Sequence, residues 1–116
     1  MLKVEYSPAA LEDLQQNIRN YISNDWGEDV TIKVLKKITS DIRRLEQYPF
    51  SGIDLGKVIN VPTEYRYLFS EKNYVFYRLE LDKIRIIRVL NERQNYMQQL
   101  FGISSEPIKD YKNNNE

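Results

Sequence analysis

The spacing of apolar residues changes period once along this chain, and that change sets the order of its elements. Leu11, Leu14, Ile18, Tyr21 and Ile22 recur at helical spacing through about residue 23. Ile32, Leu35, Ile38, Ile42 and Leu45 do the same over about 28–47. From residue 64 the period is two: Tyr65, Tyr67 and Phe69 alternate with Glu64, Arg66 and Ser70. A chain patterned this way folds as a helical pair followed by a β-meander.

Local signals set the boundaries. Val4 and Tyr6 alternate with Lys3 and Glu5, which predicts a short first strand. Ser7-Pro8 starts the first helix, because Ser caps a helix and Pro fits its first position. Asn24-Asp25-Trp26-Gly27 breaks the pattern, so the two helices form an antiparallel hairpin. Trp26, beside Gly27 at the hairpin tip, is expected either to cap that pair or to stand as an exposed anchor, with the cap favoured. Tyr48-Pro49-Phe50-Ser51-Gly52 ends the second helix, and 52–62 reads as an irregular connection. Ser70-Glu71-Lys72-Asn73 is a hairpin turn. Tyr74 to Leu81 is apolar on both faces and therefore central. Ile84 to Leu90 is a third strand. Asn95 to Phe101 is a short helix with Met97, Leu100 and Phe101 facing inward. The expected fold is α+β, with a helical hairpin packed on a twisted, mainly antiparallel sheet. One domain spans 1–102, and the polar segment 103–116 is expected to be a flexible tail.

Composition removes several chemistries. The 116 residues include no Cys and no His. Thiolate nucleophiles, thiolate-bound zinc and imidazole acid–base catalysis are excluded, and no metal or cofactor is expected. No apolar run approaches a membrane span, and the N-terminus lacks a signal-peptide core, so a cytoplasmic location is expected. Net charge is zero. Charge is nevertheless segregated. Residues 1–30 carry two bases and six acids, whereas 31–48 carry five bases (Lys33, Lys36, Lys37, Arg43, Arg44) and two acids. Residues 64–93 carry seven bases and five acids. The plain expectation for Lys33, Lys36 and Lys37 is a solvated helix face.

Four stretches, in this order, resemble the RelE/ParE superfamily of bacterial toxins. They are Val4-Glu5-Tyr6-Ser7-Pro8-Ala9-Ala10-Leu11-Glu12-Asp13-Leu14, the Tyr48-Pro49…Gly52 break, Asn73-Tyr74-Val75-Phe76-Tyr77-Arg78, and Ile86-Ile87-Arg88-Val89-Leu90-Asn91-Glu92-Arg93-Gln94-Asn95-Tyr96. The long helical hairpin is more similar to the ParE branch than to the RelE branch. The resemblance implies a growth-arresting toxin neutralised by a cognate antitoxin protein. ParE-like members poison DNA gyrase, and RelE-like members cut messenger RNA in the ribosome.

Aligned with the nuclease branch, the basic catalytic positions fall at Arg66, Leu68, Val75 and Arg93. Two of the four cannot hold phosphate charge. At roughly 2–4 kcal/mol for each lost stabilising group, that is a severe handicap for a nuclease. Arg66, Arg93 and Tyr96 are the candidate catalytic residues if RNA is cut. Tyr96 stands in for a late tyrosine whose position falls near Gln99, and a free phenol with a pKa near 10 is a poor base at neutral pH. Without that chemistry, Arg66 is expected to pair with Glu64 or Glu80. Arg93 is expected to be presented from a loop. Arg85 and Arg88 are expected on opposite faces of their strand, at least one of them solvated. Tyr65, Tyr67, Tyr74 and Tyr77 are expected to pack in the core.

Overall fold

The structure, a computed structural model, describes residues 2–102; the tail expected over 103–116 lies outside them. β1 (Lys3–Tyr6) leads into a first helix, α1, that runs in three stretches. Pro8–Glu12 is α-helical, Asp13–Ile18 is π-helical, and Arg19–Trp26 is α-helical again. Ser7 caps its start by accepting from Ala10 N at 3.0 Å. Gly27, at φ 87°, is the single residue before α2 (Glu28–Arg43), which ends in a 3-10 turn, Arg44–Glu46.

The π-helical stretch explains which face of α1 is buried. Ala10, Leu14, Ile18 and Ile22 are four residues apart and all buried. In a regular α-helix each four-residue step rotates by about 40°, so such a row drifts off any flat surface. The wider π turn cancels that drift. Leu11 and Tyr21, which regular spacing assigns to the core, are instead 40% and 41% exposed. On α2 the buried row is Thr31, Ile38, Ile42 and Leu45, while Ile32 points outward. Thr31 satisfies its hydroxyl by donating to Gly27 O at 2.7 Å.

The connection over 52–62 is not irregular. It contains β2 (Ile53–Asp54) and a short helix, α3 (Leu55–Ile59), capped by Asp54. β3 (Tyr65–Ser70), β4 (Asn73–Leu79) and β5 (Lys83–Asn91) follow, then α4 (Tyr96–Phe101). The sheet order is β1-β5-β4-β3-β2, so β4 is central as its two-sided apolar pattern predicts. β1 pairs parallel with β5, and the other pairings are antiparallel. Glu71 and Lys72 both have positive φ, the geometry of a type I′ hairpin turn.

Both faces of the sheet are covered. On one face Val75, Tyr77, Ile84, Ile86 and Val89 meet the buried rows of α1 and α2. On the other, Phe76 and Leu90 pack with Leu55 of α3 and with Tyr96, Leu100 and Phe101 of α4. Met97 is half-buried. Tyr77 is fully buried, whereas Tyr65, Tyr67 and Tyr74 are half-buried around Phe76. A β-bulge opposite Phe76 and Tyr77 makes Ile87 the extra residue, which lets Ile86 and Val89, three apart, face the same cluster.

Tyr77 also anchors the turn after α2. Its hydroxyl donates to Pro49 O at 2.9 Å and accepts from Gly52 N at 3.0 Å. The hydroxyl and Tyr67 O press against Gly52 closely enough to leave no room for a side chain there. Tyr77→Phe strands a buried N–H at Gly52. It should cost about 1–3 kcal/mol, read as a lower urea midpoint at unchanged m-value.

Candidate functional site

An open cleft of about 790 Å³ lies at the hairpin end of the molecule. One wall comes from α1 and α2 and carries Ile18, Ile22, Trp26, Val30 and Val34. The other wall is the β3–β4 turn and the loop after β5, with Asn73 and Arg93. The cleft joins an apolar floor to a charged rim of Asp25, Glu71, Lys72, Glu92 and Arg93. Trp26, expected as a cap, is 68% exposed at its edge.

Arg93 is presented from a tight turn. Asn91 Oδ1 accepts from Arg93 N at 2.9 Å, Asn91 O from Gln94 N at 2.9 Å, and Gln94 Oε1 from Asn91 N at 2.8 Å. Among the described residues its guanidinium has no ion pair. A tight turn offering a guanidinium across the cleft from an exposed indole is suited to gripping another protein.

The other two candidates are not brought to Arg93. Arg66 pairs with neither Glu64 nor Glu80, since Arg78 holds both, at 4.0 and 2.9 Å. Its Nη2 donates to Phe50 O at 3.1 Å and Gly52 O at 2.8 Å, and the guanidinium lies 5.4 Å from the Phe50 ring centre. Arg66 thus ties down the turn that Tyr77, its cross-strand neighbour, also holds. Tyr96 lies on the opposite face of the sheet. Its ring packs 5.3 Å from both Tyr74 and Phe76, and burial raises its pKa above the ordinary phenol value. A phenol shifted that way is still less ionised at neutral pH, so it offers less phenolate to act as a base.

Arg85 and Arg88 are both paired. Arg85 bonds Glu5 at 2.7 Å and lies 3.5 Å from Glu80. Arg88 grips Asp13 with two bonds, at 2.7 and 2.9 Å, and that hydrogen bonding raises its pKa. The solvated Arg expected of this pair is therefore not found. Asp13 is only 2% exposed and also accepts from Val89 N at 2.9 Å. The carboxylate of the π-helical stretch thus fills the edge of β5 where pairing with β1 stops, at Ile86. Neither Asp13 nor the row Trp26, Val30, Val34 stands out in the residue pattern. The row's four-residue spacing was the available signal, and the deeper Ile38 stripe masks it.

The family model for the ParE toxin of the type II toxin–antitoxin system parDE matches residues 4–96. The chain belongs to the ParE toxin family. Among solved structures it is similar to a chain of the chromosomal ParDE toxin–antitoxin system from P. aeruginosa. That likeness has a TM-score of 0.67 at 22% identity, covering 78% of this chain and 96% of that one. No curated protein matches. This ParE-family chain has, among its described residues, no helix long and apolar enough to cross a membrane.

Proposed function

We propose that this ParE-family chain arrests growth by binding DNA gyrase, without cutting RNA, and that a cognate antitoxin neutralises it. The observation that carries this reading is the separation of the three nuclease candidates. Arg66 is committed to the turn at 50–52, Tyr96 is packed on the other face, and Arg93 stands alone on the cleft rim. The antitoxin's amphipathic segment lies in the cleft, its apolar face on Ile22, Val30 and Val34 and its acidic groups toward Arg93 and Lys72. Asn73 Oδ1, buried and without a partner among the described residues, is an acceptor for an N–H of the docked segment.

The test is expression of the chain alone in growing cells, with DNA and protein synthesis followed separately. Arrest with DNA synthesis falling first, and rescue by the adjacent antitoxin gene, is the expected outcome. Immediate loss of protein synthesis with new codon-phased mRNA ends sinks the reading in favour of a ribosome-dependent nuclease.

A further inference from the structure

The solvent face of α2 carries a row of cations that the cleft does not use. Lys33, Lys36, Lys37, Arg43 and Arg44 lie within an arc of about 120° around the helix, opposite the buried residues Thr31, Ile38 and Ile42. All five are exposed. Lys37 is held by Asp41 at 2.7 Å. Lys33, Lys36, Arg43 and Arg44 have no ion pair among the described residues. The carboxylates near the row are at its margins. Asp29 lies in the first helical turn, and Asp41 is engaged by Lys37 and by Ser70 Oγ at 2.6 Å.

We propose that this row is a sequence-independent binding site for the phosphate backbone of duplex DNA. The ligand class follows from the shape and chemistry of the row. From Lys33 to Arg44 it is straight and about 16 Å long, enough to lie along several successive phosphates. A single strand needs aromatic faces on which its unstacked bases rest, and the row has none. A duplex keeps its bases inside and presents phosphates. The row presents only cations, which neutralise backbone phosphates whatever the base sequence, so it positions without specifying. An exposed α-helix fits the DNA major groove, whereas the A-form RNA major groove is too narrow to admit one. An anionic membrane is disfavoured because the exposed apolar side chains of α2, Val30 and Ile32, flank the cations at one end and form no continuous apolar face beside them. The zero net charge of the chain hides the site, since the row's cations are balanced by acids elsewhere: six of the 17 lie in 1–30, against two in 31–48. The inference does not rest on which machine the toxin arrests.

Fluorescence anisotropy of a labelled 20-base-pair duplex, titrated with the full chain across a salt series, tests it. Four unpaired cations predict an affinity loss of roughly 100-fold between 50 and 200 mM salt. The variant K33Q/K36Q/R43Q/R44Q, checked for folding by circular dichroism, should bind at least tenfold more weakly at 50 mM salt. It should keep only a several-fold salt effect. K72Q/R93Q, altered on the cleft rim, should bind DNA like the parent chain. No duplex binding at 50 mM salt overturns the proposal. So does equal loss in both variants, or binding of polyglutamate or anionic vesicles in place of duplex.

Discussion

Asp13→Ala is expected to lower the unfolding free energy by about 3–5 kcal/mol, the cost of removing one partner from a buried ion pair. Asp13 is 2% exposed and accepts three bonds, two from Arg88 and one from Val89 N. Its removal leaves a guanidinium on a side chain only 22% exposed without its carboxylate, and a backbone N–H without an acceptor. Thermal unfolding should report a fall in Tm of roughly 10–20 °C for a domain of this size. The double variant Asp13→Leu with Arg88→Met removes the stranded charge and should recover part of the loss. It should not recover all of it, because Val89 N stays unpaired. Glu5→Ala, which breaks the half-exposed Arg85 pair, should cost no more than about 1 kcal/mol. An Asp13→Ala protein as stable as the parent would mean that this contact does not hold α1 to β5.

Trp26→Ala is expected to weaken antitoxin binding by at least 2 kcal/mol, or about 30-fold, with little change in Tm. The indole is 68% exposed at the cleft edge, so its loss opens no cavity in the folded toxin. In a complex it is the largest apolar surface available to a docked segment. Calorimetric titration with the purified antitoxin measures the change. Phe50→Ala, equally exposed at 69% but away from the cleft, should leave the affinity within twofold. Equal losses from both variants place the antitoxin elsewhere.

The architecture was legible because regular periodicity reports regular structure. Alternation from Tyr65, the Ser7-Pro8 start and the two-sided pattern of β4 each led to the element observed. What escaped were the irregularities. A π-helical stretch and a β-bulge each shift the facing of every residue beyond them, and α1 and β5 carry one apiece. The two meet at the Asp13–Arg88 pair. Alternation therefore misjudged Arg88, and helical spacing misjudged Leu11 and Tyr21. β2 has two residues, too few for any alternation to register. Arg66 escaped for a different reason. Its partners are the backbone carbonyls of Phe50 and Gly52, and carbonyls leave no trace in residue identity. Arg93 was legible as a loop-borne cation because its position past the last strand needs no facing argument.

Whether this toxin acts by binding or by cutting is tested most directly by adding the purified chain to DNA gyrase and relaxed plasmid, with messenger RNA on ribosomes as the parallel substrate. Loss of supercoiling or trapped cleaved plasmid, with the RNA intact, is the predicted result. Undiminished supercoiling at excess toxin, together with RNA cleavage abolished by Arg93→Ala, contradicts it.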